Sequence, residues 1–109
     1  AADAPLPPLA LVLGTCCHHR CAWAAYPARR FLRNALGTAT PSDFAALCRL
    51  SSRGVNAREG SERADAGRRA KDLLDAGRVR YLEALGFDAR LVTYIDAGVT
   101  PENALIVAT

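Results

Sequence analysis

The sequence predicts a layered α/β domain. One observation is the short continuous apolar run Leu9-Ala10-Leu11-Val12-Leu13, closed by Gly14. A second is the helical spacing of apolar residues through the middle of the chain, and a third is the pair of short apolar runs from Leu91 to Ile95 and from Ala104 to Ala108. Strand, helices, strand, strand is the order of a sheet with helices layered on it, and not of a bundle. The chain has 109 residues, 50% of them hydrophobic. A domain of that size buries roughly 60–70% of its unfolded surface, so it needs neither disulfide nor metal to hold a core. Collagenous, mucin-like and strongly disordered classes fail on composition. No apolar run approaches the about 20 residues that cross a bilayer.

The first apolar run is read as a strand covered on both faces, as in a parallel sheet. Residues Ala22 to Leu36 read as loop plus helix; Pro27 limits the helical part to Ala28 onward, and Gly37 ends it. Thr40-Pro41-Ser42-Asp43 is a helix start, with Thr40 as cap, Pro41 in the first turn and Asp43 at the positive dipole end. Phe44, Leu47 and Leu50 then share a face, and Cys48 is read as core. Ser51 to Gly67 is polar and reads as a flexible excursion. A longer helix is expected from about Asp65 to Leu85, with Ala70, Leu73, Leu74, Tyr81, Leu82 and Leu85 as its apolar stripe and Gly77 as the small member. Gly86 suits a left-handed C-terminal residue. Leu91 to Ile95 is read as a strand, Asp96-Ala97-Gly98 as a turn, and Thr100-Pro101-Glu102-Asn103 as a turn with an Asx-type bond before the strand Ala104 to Ala108.

Charge is unevenly spread over a net +3. Residues 16–58 carry seven Arg against the single acid Asp43, whereas residues 59–109 carry nine acids against six Arg and one Lys. A basic first half is the footprint of a face that meets phosphate. The four cysteines are Cys16, Cys17, Cys21 and Cys48. Three crowd into one short stretch, unlike the dispersed cysteines of a secreted disulfide scaffold, so a reducing compartment is expected. The first eight residues carry an acid and three prolines instead of the basic start of a signal peptide. An intracellular protein, cytoplasmic or nuclear, is expected.

The stretch Cys16-Cys17-His18-His19-Arg20-Cys21 stands where a strand ends. Open α/β sheets bind ligands at the carboxyl ends of their strands. There the two imidazoles would serve as general base or orient a hydroxyl. Arg20 would hold a phosphate through its planar fork, and Trp23 and Tyr26 would stack on a base or ribose. Zinc is the rival reading, since Cys and His are its preferred ligands. A structural site, however, usually offers a second ligand pair well downstream, and only Cys48 lies there; no metal ligand is assigned. Buried structural cysteines beside ordinary polar histidines are the bland alternative. Arg29, Arg30 and Arg33 read first as a solvated helix face, with phosphate contact the second reading.

Cys16-Cys17-His18-His19-Arg20-Cys21-x-Trp23-x-x-Tyr26 resembles the signature of the tRNA 2'-O-ribose methyltransferases that modify nucleotide four of the acceptor stem. The second half agrees through Leu73-Leu74-Asp75-x-Gly77-Arg78-Val79-Arg80-Tyr81-Leu82, then Gly86-Phe87, Tyr94 and Glu102-Asn103-x-Leu105. The resemblance covers nearly the whole chain and skips a variable stretch around residues 53–66. It implies an S-adenosylmethionine-dependent enzyme acting on the tRNA acceptor stem. The implied fold is the C-terminal portion of a Rossmann-like methyltransferase sheet with an antiparallel final strand pair, residues 1–109 forming the last part of one catalytic domain. The cofactor-binding half is expected to lie outside this chain, because nothing here resembles a glycine-rich turn after a strand and the sequence contains no Met. Cofactor-binding residues are therefore left unassigned. His18, His19 and Arg20 are the candidate catalytic residues, and Cys16, Cys17, Trp23, Tyr26, Arg29 and Arg30 the candidate substrate-binding ones. Two departures from the family pattern bear on local substrate contacts: Arg53 follows Ser51-Ser52 where a tryptophan is common, and Pro27-Ala28-Arg29 replaces a run of small residues and lysine. The alternative class is a non-catalytic zinc- or RNA-binding module.

Overall fold

A computed structural model describes residues 10–16, 18–37, 40–52, 61–96, 99–100 and 102–109, with the side chain of His19 excepted. Leu9, Cys17, Arg53, Ala97, Gly98 and Pro101, together with the expected polar excursion over residues 53–60, lie outside the described residues.

The chain begins with strand β1 (Leu11–Gly14), followed by a single 3-10 turn (His18–Arg20). Helix α1 (Arg29–Leu36) starts after Ala28 and stops at Gly37, whose φ of 79° explains why glycine ends it. Helix α2 (Pro41–Ser51) has a complete capping box. The Asp43 amide donates to Thr40 Oγ1 and the Thr40 amide donates to an Asp43 carboxylate oxygen, each at 3.1 Å. Helix α3 (Glu62–Ala84) begins one turn earlier than expected, because Ser61 accepts from the Ala64 amide and acts as its cap. Gly86, at φ 99°, turns the chain into strand β2 (Ala89–Thr93), and strand β3 (Ala104–Ala108) follows.

The sheet has the order β1-β3-β2, with β3 antiparallel to both neighbours. Leu11 pairs with Ala108 and Gly14 with Leu105 on one side of β3; Ala89 pairs with Ala108 and Thr93 with Ala104 on the other. The final two strands are thus an antiparallel pair, as expected, with β3 inside the sheet and β2 outside it. The interior parallel strand expected for the first apolar run is not seen among the described residues, which supply β1 with one neighbour only. β1 pairs antiparallel, among the described residues it has no strand on its other side, and Val12 is 62% exposed. A continuous apolar run states that both faces tolerate burial, not that both are covered.

Helix α3 joins two packed regions. Its middle supports Tyr26, Ala28, Leu32, Phe44, Cys48 and Leu74, which bury the loop after β1 together with α1 and α2. Its C-terminal part packs Leu82 and Val79 against Leu11, Ala89, Ile106 and Ala108 of the sheet. Gly77 permits the first of these contacts. A Cβ there would run into the Tyr26 hydroxyl and lie 3.1 Å from both Ala28 Cβ and Phe31 Cδ1. Two members of the expected apolar stripe, Tyr81 and Leu85, are exposed, and Lys71 and Asp75 are buried in their stead. The helix turns a partly polar face to the loop after β1, which pattern counting on apolar residues misses. Before β3, the Glu102 amide donates to Thr100 Oγ1 at 3.2 Å, whereas Asn103 Nδ2 donates across to Ile95 O at 3.2 Å; the local side-chain bond therefore belongs to Thr100 and not to an Asx turn. No described helix is long and apolar enough to cross a membrane.

Candidate functional site

The loop after β1 is tied down by one carboxylate. Asp75, on the buried face of α3, is 1% exposed. Thr15 Oγ1 donates to its Oδ2 at 3.0 Å, and His18 Nε2 and Arg78 Nη1 both reach its Oδ1, at 2.8 and 2.9 Å. Burial alone would raise this carboxyl; the hydrogen bond and charge of His18, the Thr15 hydroxyl and Arg78 outweigh it and hold Asp75 below the usual carboxylate range. The carboxylate accepts, so Nε2 of His18 is the nitrogen that carries a proton toward it. His18 is 2% exposed, and its Nδ1 has no hydrogen-bond partner among the described residues.

Arg78 reaches further. Its Nη2 lies 3.0 Å from Cys21 Sγ, so one guanidinium spans Asp75 and the end of the Cys/His stretch. Tyr26 donates its hydroxyl to Leu74 O at 2.7 Å, and burial pushes that hydroxyl well above its ordinary range. Cys48 packs beneath the same loop, and burial with Cys21 close by pushes its thiol up to about 11. A second polar link lies one helical turn away on α3, where Lys71 Nζ meets Glu102 Oε2 at 3.2 Å. Thr15 also donates its amide to Ala104 O, at 3.3 Å, which joins the loop to the start of β3.

The residues singled out from the sequence fall into separate places. His18 is inside, fixed by Asp75. Arg20 and Cys16 are exposed on either side of it. Cys17 and the His19 side chain lie outside the described residues. Tyr26 is a core residue with its hydroxyl engaged, so the stacking expected of it is not available. Trp23 is half-buried against Phe44, with ring centroids 5.5 Å apart. Arg29 and Arg33 lie over its indole at 5.7 and 5.5 Å, and Arg30 is exposed beside them. Among the described residues no group of three or more His, Cys, Asp or Glu is placed to hold a metal ion.

Thr15, Asp75 and Arg78 are the site residues that reading the sequence missed. The available signal was Lys71, Asp75 and Arg78 recurring at helical spacing beside Leu74 and Leu82. Three ionisable residues on a face that must also bury leucines call for partners elsewhere in the chain. Lys71 meets Glu102, whereas Asp75 and Arg78 meet Thr15, His18 and Cys21, so the sequence blocks 16–26 and 73–82 come together in space.

Residues 6–63 and 57–109 match the family described as Methyltransferase TRM13. The tRNA:m(4)X modification enzyme TRM13 of Schizosaccharomyces pombe is 30% identical to this chain, over 94% of the chain and 33% of that protein. The tRNA:m(4)X modification enzyme TRM13 homolog of Homo sapiens is 28% identical, over 94% of the chain and 30% of that protein. The chain therefore spans about a third of the length of the curated relatives it matches. No solved structure matches it.

Proposed function

The chain belongs to the Methyltransferase TRM13 family, and from that membership we propose that it is the acceptor-side part of a tRNA methyltransferase. In this reading the full-length enzyme uses S-adenosylmethionine to methylate a ribose 2'-hydroxyl in the tRNA acceptor stem. The observation that carries the proposal is the convergence of the two family-like blocks on Asp75, at the carboxyl end of β1. Sheet order supports a Rossmann-like domain: β1 and β2 run in one direction and β3 runs against them between the two, an antiparallel ending to a sheet that would continue beyond β1.

Donor binding is placed outside the described residues in this reading. β1 ends in Gly14-Thr15, an isolated glycine followed by a buried threonine whose hydroxyl is spent on Asp75. No glycine-rich strand-to-helix turn occurs among them, so donor binding is assigned to the part of the relatives that this chain does not span.

What the chain contributes is the acceptor. His18 acts as a strut whose bond to Asp75 sets the 3-10 turn. In this reading His19 would orient the ribose hydroxyl, Arg20 would meet a neighbouring phosphate, and Cys16 and Cys17 would contact the substrate. Positioning of this kind supplies much of the rate in a transfer between two bound groups. A tRNA substrate would place the protein in the cytoplasm or nucleus.

Single-turnover methylation of a tRNA transcript by the full-length enzyme tests the proposal. His19→Ala and Arg20→Ala are expected to slow transfer by about 100-fold, the lower range for a positioned acid–base or orienting group, with melting behaviour unchanged. His18→Ala is expected to slow it and lower stability together. Wild-type rates in all three, or a methyl group recovered on a base instead of a ribose, would overturn the reading.

A further inference from the structure

Helix α1 carries Arg29, Arg30 and Arg33, all exposed, and no acid. Among the described residues, the arginines that pair with carboxylates are on α3: Arg68 with Asp65, and Arg78 with Asp75. None of the three on α1 has such a partner among those residues. Two of them are nevertheless held in place. The Arg29 and Arg33 guanidinium carbons lie 5.7 and 5.5 Å from the centroid of the Trp23 ring. Phe44 packs against the same ring at 5.5 Å, tilted by 59°, and so fixes the indole to α2.

A cation–π contact with an indole restrains a guanidinium while leaving N–H donors for other partners. It also removes part of the rotamer freedom that an exposed arginine loses on binding. Arg29 and Arg33 are one helical turn apart, about 5–6 Å between Cβ atoms. The result is a short row of cations, restrained in advance, with no neutralising carboxylate among the described residues. Proteins that grip single-stranded nucleic acid stack successive bases on open aromatic faces. Here the indole is already covered by two arginines and a phenylalanine, and Tyr26 is buried.

We infer that Trp23 and α1 form a phosphate-reading surface for duplex RNA, in which Trp23 holds Arg29 and Arg33 against the backbone and does not itself stack on a base. The inference rests on the proposal that the partner is an RNA and adds how and where it is gripped. Binding through such a surface is independent of base sequence and falls steeply with salt, by about 0.7–0.9 in log–log slope per phosphate contact.

The test is fluorescence anisotropy of the full-length protein with a labelled generic RNA duplex, and with a single strand of equal length, over a salt series. The Arg29→Ala/Arg33→Ala double variant is expected to flatten the duplex salt slope by about 1.5 and to weaken binding about tenfold at low salt, equally for unrelated duplex sequences. Arg29→Lys/Arg33→Lys keeps both charges but loses the planar guanidinium forks; it is expected to retain the slope and to bind several-fold more weakly. A double alanine variant with wild-type slope and affinity overturns the inference while leaving the RNA proposal intact. Tighter binding of the single strand than of the duplex does the same. A wild-type protein that binds neither RNA overturns the proposal and the inference together.

Discussion

Asp75 is held from three sides. Its carboxylate takes three side-chain donors, Thr15 and His18 from the loop after β1 and Arg78 from its own helix, in a position almost closed to water. Removing one partner of a buried charged cluster leaves the others uncompensated, at about 3–5 kcal/mol. Asp75→Asn should therefore lower the unfolding free energy measured by chemical denaturation by an amount in that range, whereas substitutions at exposed neighbours should stay within about 0.5 kcal/mol. The pH dependence has a defined sign. The folded-state carboxyl is held below its ordinary value, so its contribution is present above about pH 4 and is lost as pH falls toward the folded-state pKa. The stability gap between wild type and Asp75→Asn should thus narrow in acid and stay constant at neutral pH. The spacing of Lys71, Asp75 and Arg78 beside Leu74 and Leu82 signalled a buried polar face, but nothing around Asp75 named its partners. Its partners Thr15 and His18 lie 60 and 57 residues away. The chemistry of the Cys/His stretch, by contrast, could be read directly as a concentration of unusual residue types, although not which imbalance of burial would separate His18 from Arg20.

Elements were the most readable level where their signals are local. The start of α2 is written in Thr40-Pro41-Ser42-Asp43, and the reciprocal bonds form as those four residues dictate. Thr40→Ala should cost about 1 kcal/mol, measured as a drop in melting temperature. An unchanged melting temperature would mean that this cap contributes nothing in context. Gly37 and Gly86 likewise mark ends that only a left-handed residue makes. Elements whose limits depend on distant partners were placed less well. β2 begins two residues before Leu91 because Ala89 pairs with Ala108, and no residue near Ala89 announces that register. The first strand showed its existence but not its direction, since five apolar residues in a row serve a parallel or an antiparallel ladder equally.

At the scale of the whole molecule, the sheet has two unequal faces. Ile106 and Ala108 of β3 turn to α3 and are fully buried. Val12 sits opposite Val107 on the alternate positions, and in the described residues α3 does not cover it. Ile106→Ala should cost about 2–5 kcal/mol in denaturant unfolding, and Val12→Ala within about 0.5 kcal/mol. Comparable costs at the two positions would show that the second face is covered in solution. Fold class and element order followed from periodicity and turn residues. The strand order β1-β3-β2 did not, because it depends on pairings that no local pattern encodes.

Those pairings also set when the molecule can become itself. Every rung between β1 and β3 links residues more than ninety positions apart, from Gly14 with Leu105 to Leu11 with Ala108. Closing so large a loop is entropically expensive before any contact rewards it, which places such a chain toward the slower end of small-domain folding. During synthesis, the strand that leads into the Cys/His stretch cannot complete its pairing with β3 until residue 108 has been added.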